Sequence, residues 1–211
     1  MAPSALVSTA AAASAAALLL LAQLARPAVA QATPNCTAPA PSKDFVYPRM
    51  DGAWFEIMRV QTEGGNLLQQ FCACTQLVFS DDAGNKTVGN KDVLNSCRFE
   101  TPAGAFINAT SYLIDMGPTG HWNEVYFPGG PPASYNIILA GTDTRGVDWI
   151  VEYDCSNNAI FGNNYCIHLL SRAPTGFPQA LLDEVIVETT IVMGLNPQLR
   201  PINMTMQEGC W

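Results

Sequence analysis

Between Trp54 and Ser171 the chain alternates short apolar runs with clusters of turn residues. The runs are Trp54–Val60, Cys74–Ser80, Thr87–Leu94, Ala105–Ile114, Trp122–Phe127, Tyr135–Ala140, Trp149–Asp154 and Cys166–Ser171. They are separated by breaks such as Asp81-Asp82-Ala83-Gly84-Asn85, Gly117-Pro118-Thr119-Gly120 and Pro128-Gly129-Gly130-Pro131-Pro132. Evenly spaced strands with turn signals predict an antiparallel sandwich or barrel. The period of two is clearest where Trp149, Val151 and Tyr153 alternate with Asp148, Glu152 and Asp154, which predicts a strand with one buried face.

The pattern changes after the last strand. From Pro178 to Met193, Leu181, Leu182, Val185, Ile186, Val192 and Met193 fall at helical spacing. Pro178 suits a first turn and Gly194 a stop. The β-branched run from Val185 to Val192 lowers intrinsic propensity, so packing against the sheet has to hold this helix. The remainder to Trp211 reads as an irregular tail.

The N-terminus is of another kind. Ala5 to Ala25 is apolar and uncharged, Arg26 ends it, and Ala28-Val29-Ala30 offers an A-x-A cleavage pattern before Gln31. Residues 1–30 are therefore read as a removable signal peptide, with an anchoring transmembrane helix as the rival reading. What remains, 31–211, reads as a single domain: an arm over 31–49, a barrel over 50–174, a helix over 175–194 and a tail over 195–211. All seven cysteines lie after the cut, as expected of an exported, disulfide-bonded domain. The N-x-S/T sequons at Asn35, Asn85, Asn108 and Asn203 mark candidate glycosylation sites. Loss of Arg26 with the leader leaves nine basic residues against eighteen acidic, a formal charge of −9. That balance disfavours nucleic acid and anionic membrane surfaces as partners.

Three motifs stand in order along these elements. Gly52-Ala53-Trp54 opens the first strand, Thr142-Asp143-Thr144 occupies a turn, and Leu169-Leu170-Ser171-Arg172-Ala173-Pro174 closes the last strand. The set resembles the lipocalin family from about Cys36 to Cys210, with Thr144 replacing the family's aromatic in the turn. Cys74-Thr75-Gln76-Leu77-Val78-Phe79-Ser80 is similar to the second strand of the apolipoprotein D and bilin-binding branch. Cys72-Ala73-Cys74 with Cys97 and Cys210 resembles the plastid lipocalins. The resemblance implies an all-β fold: an eight-stranded antiparallel up-and-down β-barrel with one C-terminal α-helix packed on its side. In such a barrel the first and last strands pair, so Gly52, Trp54 and Arg172 meet at one rim and plug it. A guanidinium over an indole contributes roughly 0.5–2 kcal/mol.

Strand direction sets Cys72 beside Cys97 at the opposite, open rim. The resemblance implies Cys74–Cys210 and Cys36–Cys155 as further disulfides. A metal site at Cys72-Ala73-Cys74 is disfavoured because no His lies nearby, and neither a metal nor a cofactor is expected. Cys166 is left over. It shares strand parity with His168, Leu170 and Arg172, so it reads as a core thiol, a partner of Cys155, or a cavity thiol beside an imidazole.

These readings converge on a protein that holds a small hydrophobic ligand: a fatty acid, sterol, retinoid, carotenoid or tetrapyrrole. The nominated ligand-binding positions are Phe79, Asn90, Asp92, Val125, Phe127, His168 and Leu170. One alternative is a lipid-modifying enzyme using Cys166, although G-x-S-x-G, H-E-x-x-H and Gly-rich phosphate loops are all missing from the sequence. Another is an interaction protein using the Pro128–Pro132 loop. Secretion is the expected destination, with the lumen of an endomembrane or plastid compartment as the alternative.

Overall fold

The computed structural model describes residues 36, 39–46, 49–62, 69–82, 89–117, 119–158, 162–194 and 202–211. The proposed leader, Asn35 and Asn85 lie outside them. Eight long strands follow one another: β1 (Gly52–Gln61), β2 (Cys72–Asp81), β3 (Lys91–Phe99), β4 (Phe106–Asp115), β5 (His121–Val125), β6 (Ala133–Thr142), β7 (Asp148–Asn158) and β8 (Gly162–Ser171). A helix, α1 (Gln179–Met193), and a two-residue strand, β9 (Asn203–Met204), complete the order. Each long strand pairs antiparallel with the next, and β1 pairs with both β2 and β8, which closes an up-and-down barrel.

Closure is uneven along β1. Gly52–Phe55 pair with β2, while Met58 and Arg59 pair with β9. A register shift between Glu56 and Met58 marks where β1 leaves one neighbour for the other. A second shift, in β2 between Ala73 and Gln76, surrounds Cys74 at φ 57°, whose N–H bonds Met206 O instead of the ladder. Such bulges turn a strand and re-aim its side chains. Three disulfides join Cys36 to Cys155, Cys72 to Cys97 and Cys74 to Cys210.

Two apolar clusters use the two sides of the wall. Inside, Met50, Trp54, Leu77, Phe79, Trp122, Ile150 and Leu170 fill the closed end. Outside, Trp149, Val151, Tyr153, Tyr165, Ile167 and Leu169 pack with Leu182 and Val185 of α1. Fully burying side chains of this size stabilises by about 1.5–3 kcal/mol each. The helix starts at Pro178, which serves as N-cap, and stops at Gly194 in the left-handed conformation.

This arrangement corrects the expectation that β7 buries one face. Its apolar face lies outside, beneath the helix, and Ile150, Glu152 and Asp154 look into the barrel. Both faces are covered. The third strand is also shifted from the expected Thr87–Leu94 to Lys91–Phe99. Its polar end, Asn95 to Arg98, pairs fully with Phe106–Ala109 of β4.

Candidate functional site

The closed end is built around one cation. Arg172 stacks its guanidinium 3.8 Å from the Trp54 ring centroid. It donates to the carbonyls of Ala53 at 2.8 Å and Asp51 at 2.7 Å, and also to that of Arg49. Gly52 sits at φ 97°, and a Cβ there would lie 3.2 Å from Arg172 Nη1, so the glycine suits both the backbone and the approach of the arginine. The Trp54 indole N–H bonds Met50 O at 2.8 Å. Lys91, 2 % exposed, is paired to Asp51 and Asp81 at 2.6 Å each.

Above this floor the barrel holds a cavity of about 370 Å³. Leu77, Val93, Ile107 and Ala109 supply apolar wall, with the Cys72–Cys97 disulfide alongside. The opposite wall is polar: Glu124 and Tyr126, Tyr135 on β6, Glu152 and Asp154 on β7, Cys166 and His168 on β8.

His168 organises that wall. Its Nδ1 lies 2.5 Å from Glu152 Oε1, and its Nε2 lies 3.1 Å from Gln69 Oε1 and 3.0 Å from the Gln61 amide nitrogen. Burial alone would discharge the ring. The bond to Glu152 and the charges of Glu56, Glu152 and Asp154 outweigh burial and carry its pKa up to about 9. Tyr135 donates to the second oxygen of Glu152. Behind the wall, Glu56 accepts from Arg59 Nη1 at 3.1 Å and from Thr205, and its Oε2 lies 3.7 Å from His168 Nε2.

Two carboxyls are differently placed. Glu124 accepts from Ser111 Oγ at 2.5 Å and Asp154 from Tyr126 Oη at 2.6 Å. Burial, then repulsion by Asp154, pushes the Glu124 pKa up to about 8. Burial raises Asp154 to about 6, with Glu152 adding to the rise and Tyr126 and His168 restraining it.

Cys166 is free and buried. Its Sγ lies 3.6 Å from the Gln61 amide nitrogen, and burial with the carboxyls of Asp154, Glu152 and Glu124 holds the thiol pKa well above the ordinary value. A thiol kept protonated is a poor nucleophile, which counts against the enzymatic alternative. Its pairing with Cys155 is excluded, because Cys155 is joined to Cys36.

Of the nominated ligand positions, His168 lines the cavity. Phe79 and Leu170 point inward but belong to the packed floor beneath it. Asn90 lies at the closed end, where its Nδ2 donates to Tyr112 Oη and its Oδ1 accepts from Asp115 N, both at 2.9 Å. Asp92 is a correction: Val93, Asn95 and Cys97 face the cavity, so Asp92 has the outward parity. Val125 and Phe127 are corrected for the same reason, since Glu124 and Tyr126 take the inner positions and Phe127 is 61 % exposed. Asn108 and Asn203 are exposed on β4 and β9.

The residues missed are Glu124, Glu152, Asp154, Tyr126 and Tyr135. One signal for them was present. Arg172 fixes His168 as inward, and the β7–β8 hairpin sets Glu152 opposite His168 and Asp154 opposite Cys166.

No protein-family model matches the chain, and no curated protein matches it in sequence. Among solved structures it is similar to lobster apocrustacyanin A1, with 13% identity and a TM-score of 0.51 over 82% of this chain and 92% of that one. It is similar at the same identity and TM-score to apocrustacyanin C1, over 80% of this chain and 89% of that one, and to apocrustacyanin C2, over 83% and 93%. The likeness is one of fold: a closed eight-stranded up-and-down barrel with a C-terminal helix.

Proposed function

We infer that this protein is an exported, lipocalin-type binding protein that holds one small molecule with a largely apolar body inside its barrel. The observation that carries the inference is the cavity of about 370 Å³ above a floor sealed by Trp54 and Arg172. A pocket of this size with an apolar wall and a few convergent polar groups suits a single small ligand. The cysteine-rich strand Cys72–Ser80 supports an affinity with the apolipoprotein D, bilin-binding and plastid branches. Export would follow removal of residues 1–30, with glycans at one or more of Asn35, Asn85, Asn108 and Asn203. Three disulfides favour an oxidising destination, outside the cell or in a lumen. Among the described residues no helix is long and apolar enough to cross a membrane. The test is native extraction: protein purified from its source is denatured, and released molecules are identified by absorbance and mass spectrometry. A stoichiometric small molecule is expected. A cavity that is empty in repeated preparations and takes up no offered ligand would overturn the inference.

A further inference from the structure

Among the described residues lining the cavity, three are carboxylic acids and one is a base: Glu124, Glu152 and Asp154 against His168. The base is committed to Glu152 at 2.5 Å. Glu124 and Asp154 are left with the hydroxyls of Ser111 and Tyr126, and neither has an ion-pair partner among the described residues. Behind the wall, Arg59 is matched by Glu56, whose side chain is fully buried. Glu56 Oε2 has no hydrogen-bond partner and is turned toward His168. The interior is thus short of positive charge on the side where the tyrosines stand.

That deficit discriminates among ligands. A fatty-acid headgroup would add another carboxylate to an enclosed space that already holds three carboxyl groups against one base, at a large desolvation and repulsion cost. An ammonium would supply the missing charge, with the Tyr126 hydroxyl, already bonded to Asp154, beside it. Leu77, Val93 and Ile107 would cover an apolar body.

We propose that this cavity takes small organic cations, protonated amines with an apolar or aromatic body, their ammonium seated between Glu124 and Asp154, and disfavours anionic amphiphiles. The proposal rests on the ligand-holding function above and names its ligand class.

Proton linkage supplies a signature. Glu124 is held up to about 8 and Asp154 to about 6 by burial and by neighbouring carboxyls, and an ammonium between them relieves both, so its arrival expels protons. The groups facing this pair are Ser111 on β4, Tyr126 after β5, Tyr135 on β6, Glu152 on β7, and Cys166 and His168 on β8. Glu56 and Arg59 on β1 stand behind them. His168 keeps its charge up to about 9. Amine affinity therefore rises with pH between about 5 and about 8.

The experiment is calorimetric titration of the purified protein with tryptamine, indole-3-propionate and tryptophol, which share a body and differ in charge. Near neutral pH, tryptamine is expected to bind at least about tenfold more tightly than either of the others. Titrations in buffers of different ionisation enthalpy should show protons released by tryptamine and none by tryptophol. Glu124→Gln combined with Asp154→Asn should bring tryptamine to within about twofold of tryptophol in the same variant. Should that variant misfold, the wild-type proton release and pH series decide alone. Indole-3-propionate binding as tightly as tryptamine, or a tryptamine affinity flat across this pH range, would overturn the proposal. Tryptophol binding with tryptamine no better removes only the cation preference. Failure of all three ligands, and of octylamine and octanol, removes the ligand-holding function and this proposal with it.

Discussion

Glu152 and His168 face each other directly across the β7–β8 ladder, and the carboxylate accepts the imidazole Nδ1–H at 2.5 Å with both side chains almost completely buried. Removing one member of such a pair leaves the other charge buried without its partner, which costs about 3–5 kcal/mol. Glu152→Leu or His168→Leu should each lower unfolding free energy by that amount in chemical denaturation. The double Leu variant should lose much less than the sum. Glu152→Gln keeps an acceptor for Nδ1 but removes the charge, so an NMR titration should find the His168 pKa below about 9, nearer its ordinary value.

Stability should fall as pH rises. In the unfolded chain Glu124, Asp154 and His168 have ordinary values of 4.5, 3.8 and 6.5, and folding raises them to about 8, 6 and 9. The folded protein therefore binds more protons across this range. Its gain is fully present below each unfolded value and is lost as pH climbs through the folded one. Thermal melts should show Tm falling by at least about 5 °C between about pH 5 and about pH 9. Glu124→Gln should flatten that slope. A Tm that rises over the same range would contradict the assignment.

Arg172 is one side chain with four contacts, an indole face and three backbone carbonyls. Arg172→Ala should cost about 2–4 kcal/mol, measured by denaturant unfolding. Arg172→Lys should recover little, because an ammonium cannot reach three carbonyls as a planar fork while stacking on Trp54. Trp54 fluorescence should report the loss directly.

Cys166 should resist alkylation in the native protein. Its thiol is buried and held protonated by burial and the neighbouring carboxyls, so iodoacetamide labelling should await opening of the barrel. Intact-mass measurements should find one added group in denaturant and almost none without it. Fast native labelling would reinstate the thiol as a reactive group.

Much of this fold can be read along the chain because its signals are local. Strand runs, turn clusters, Gly52-Ala53-Trp54 and the Arg172 motif each lie within a few residues, and together they predict the barrel and its plugged end. The cavity wall is harder, because it depends on which side of each strand faces in. On β7 the apolar set Trp149, Val151 and Tyr153 looks like the inner face, yet α1 claims it from outside. On β3 and β5 a displacement of one residue separates Asp92 from Val93 and Val125 from Glu124. No run of sequence reveals that choice; pairing partners do. Where an anchor existed, as for His168 through Arg172, parity gave the right face.

The three disulfides interlock along the chain. Cys36–Cys155 spans the first two-thirds of the barrel domain, and Cys74–Cys210 begins inside that span and runs on almost to the C-terminus. A peptide bond broken before Cys155 is bridged by the first link, and one broken after Cys74 by the second. Any single proteolytic nick between Cys36 and Cys210 therefore leaves one covalent molecule, and the fragments part on a gel only after reduction. A barrel built this way can be clipped once and still keep all its pieces.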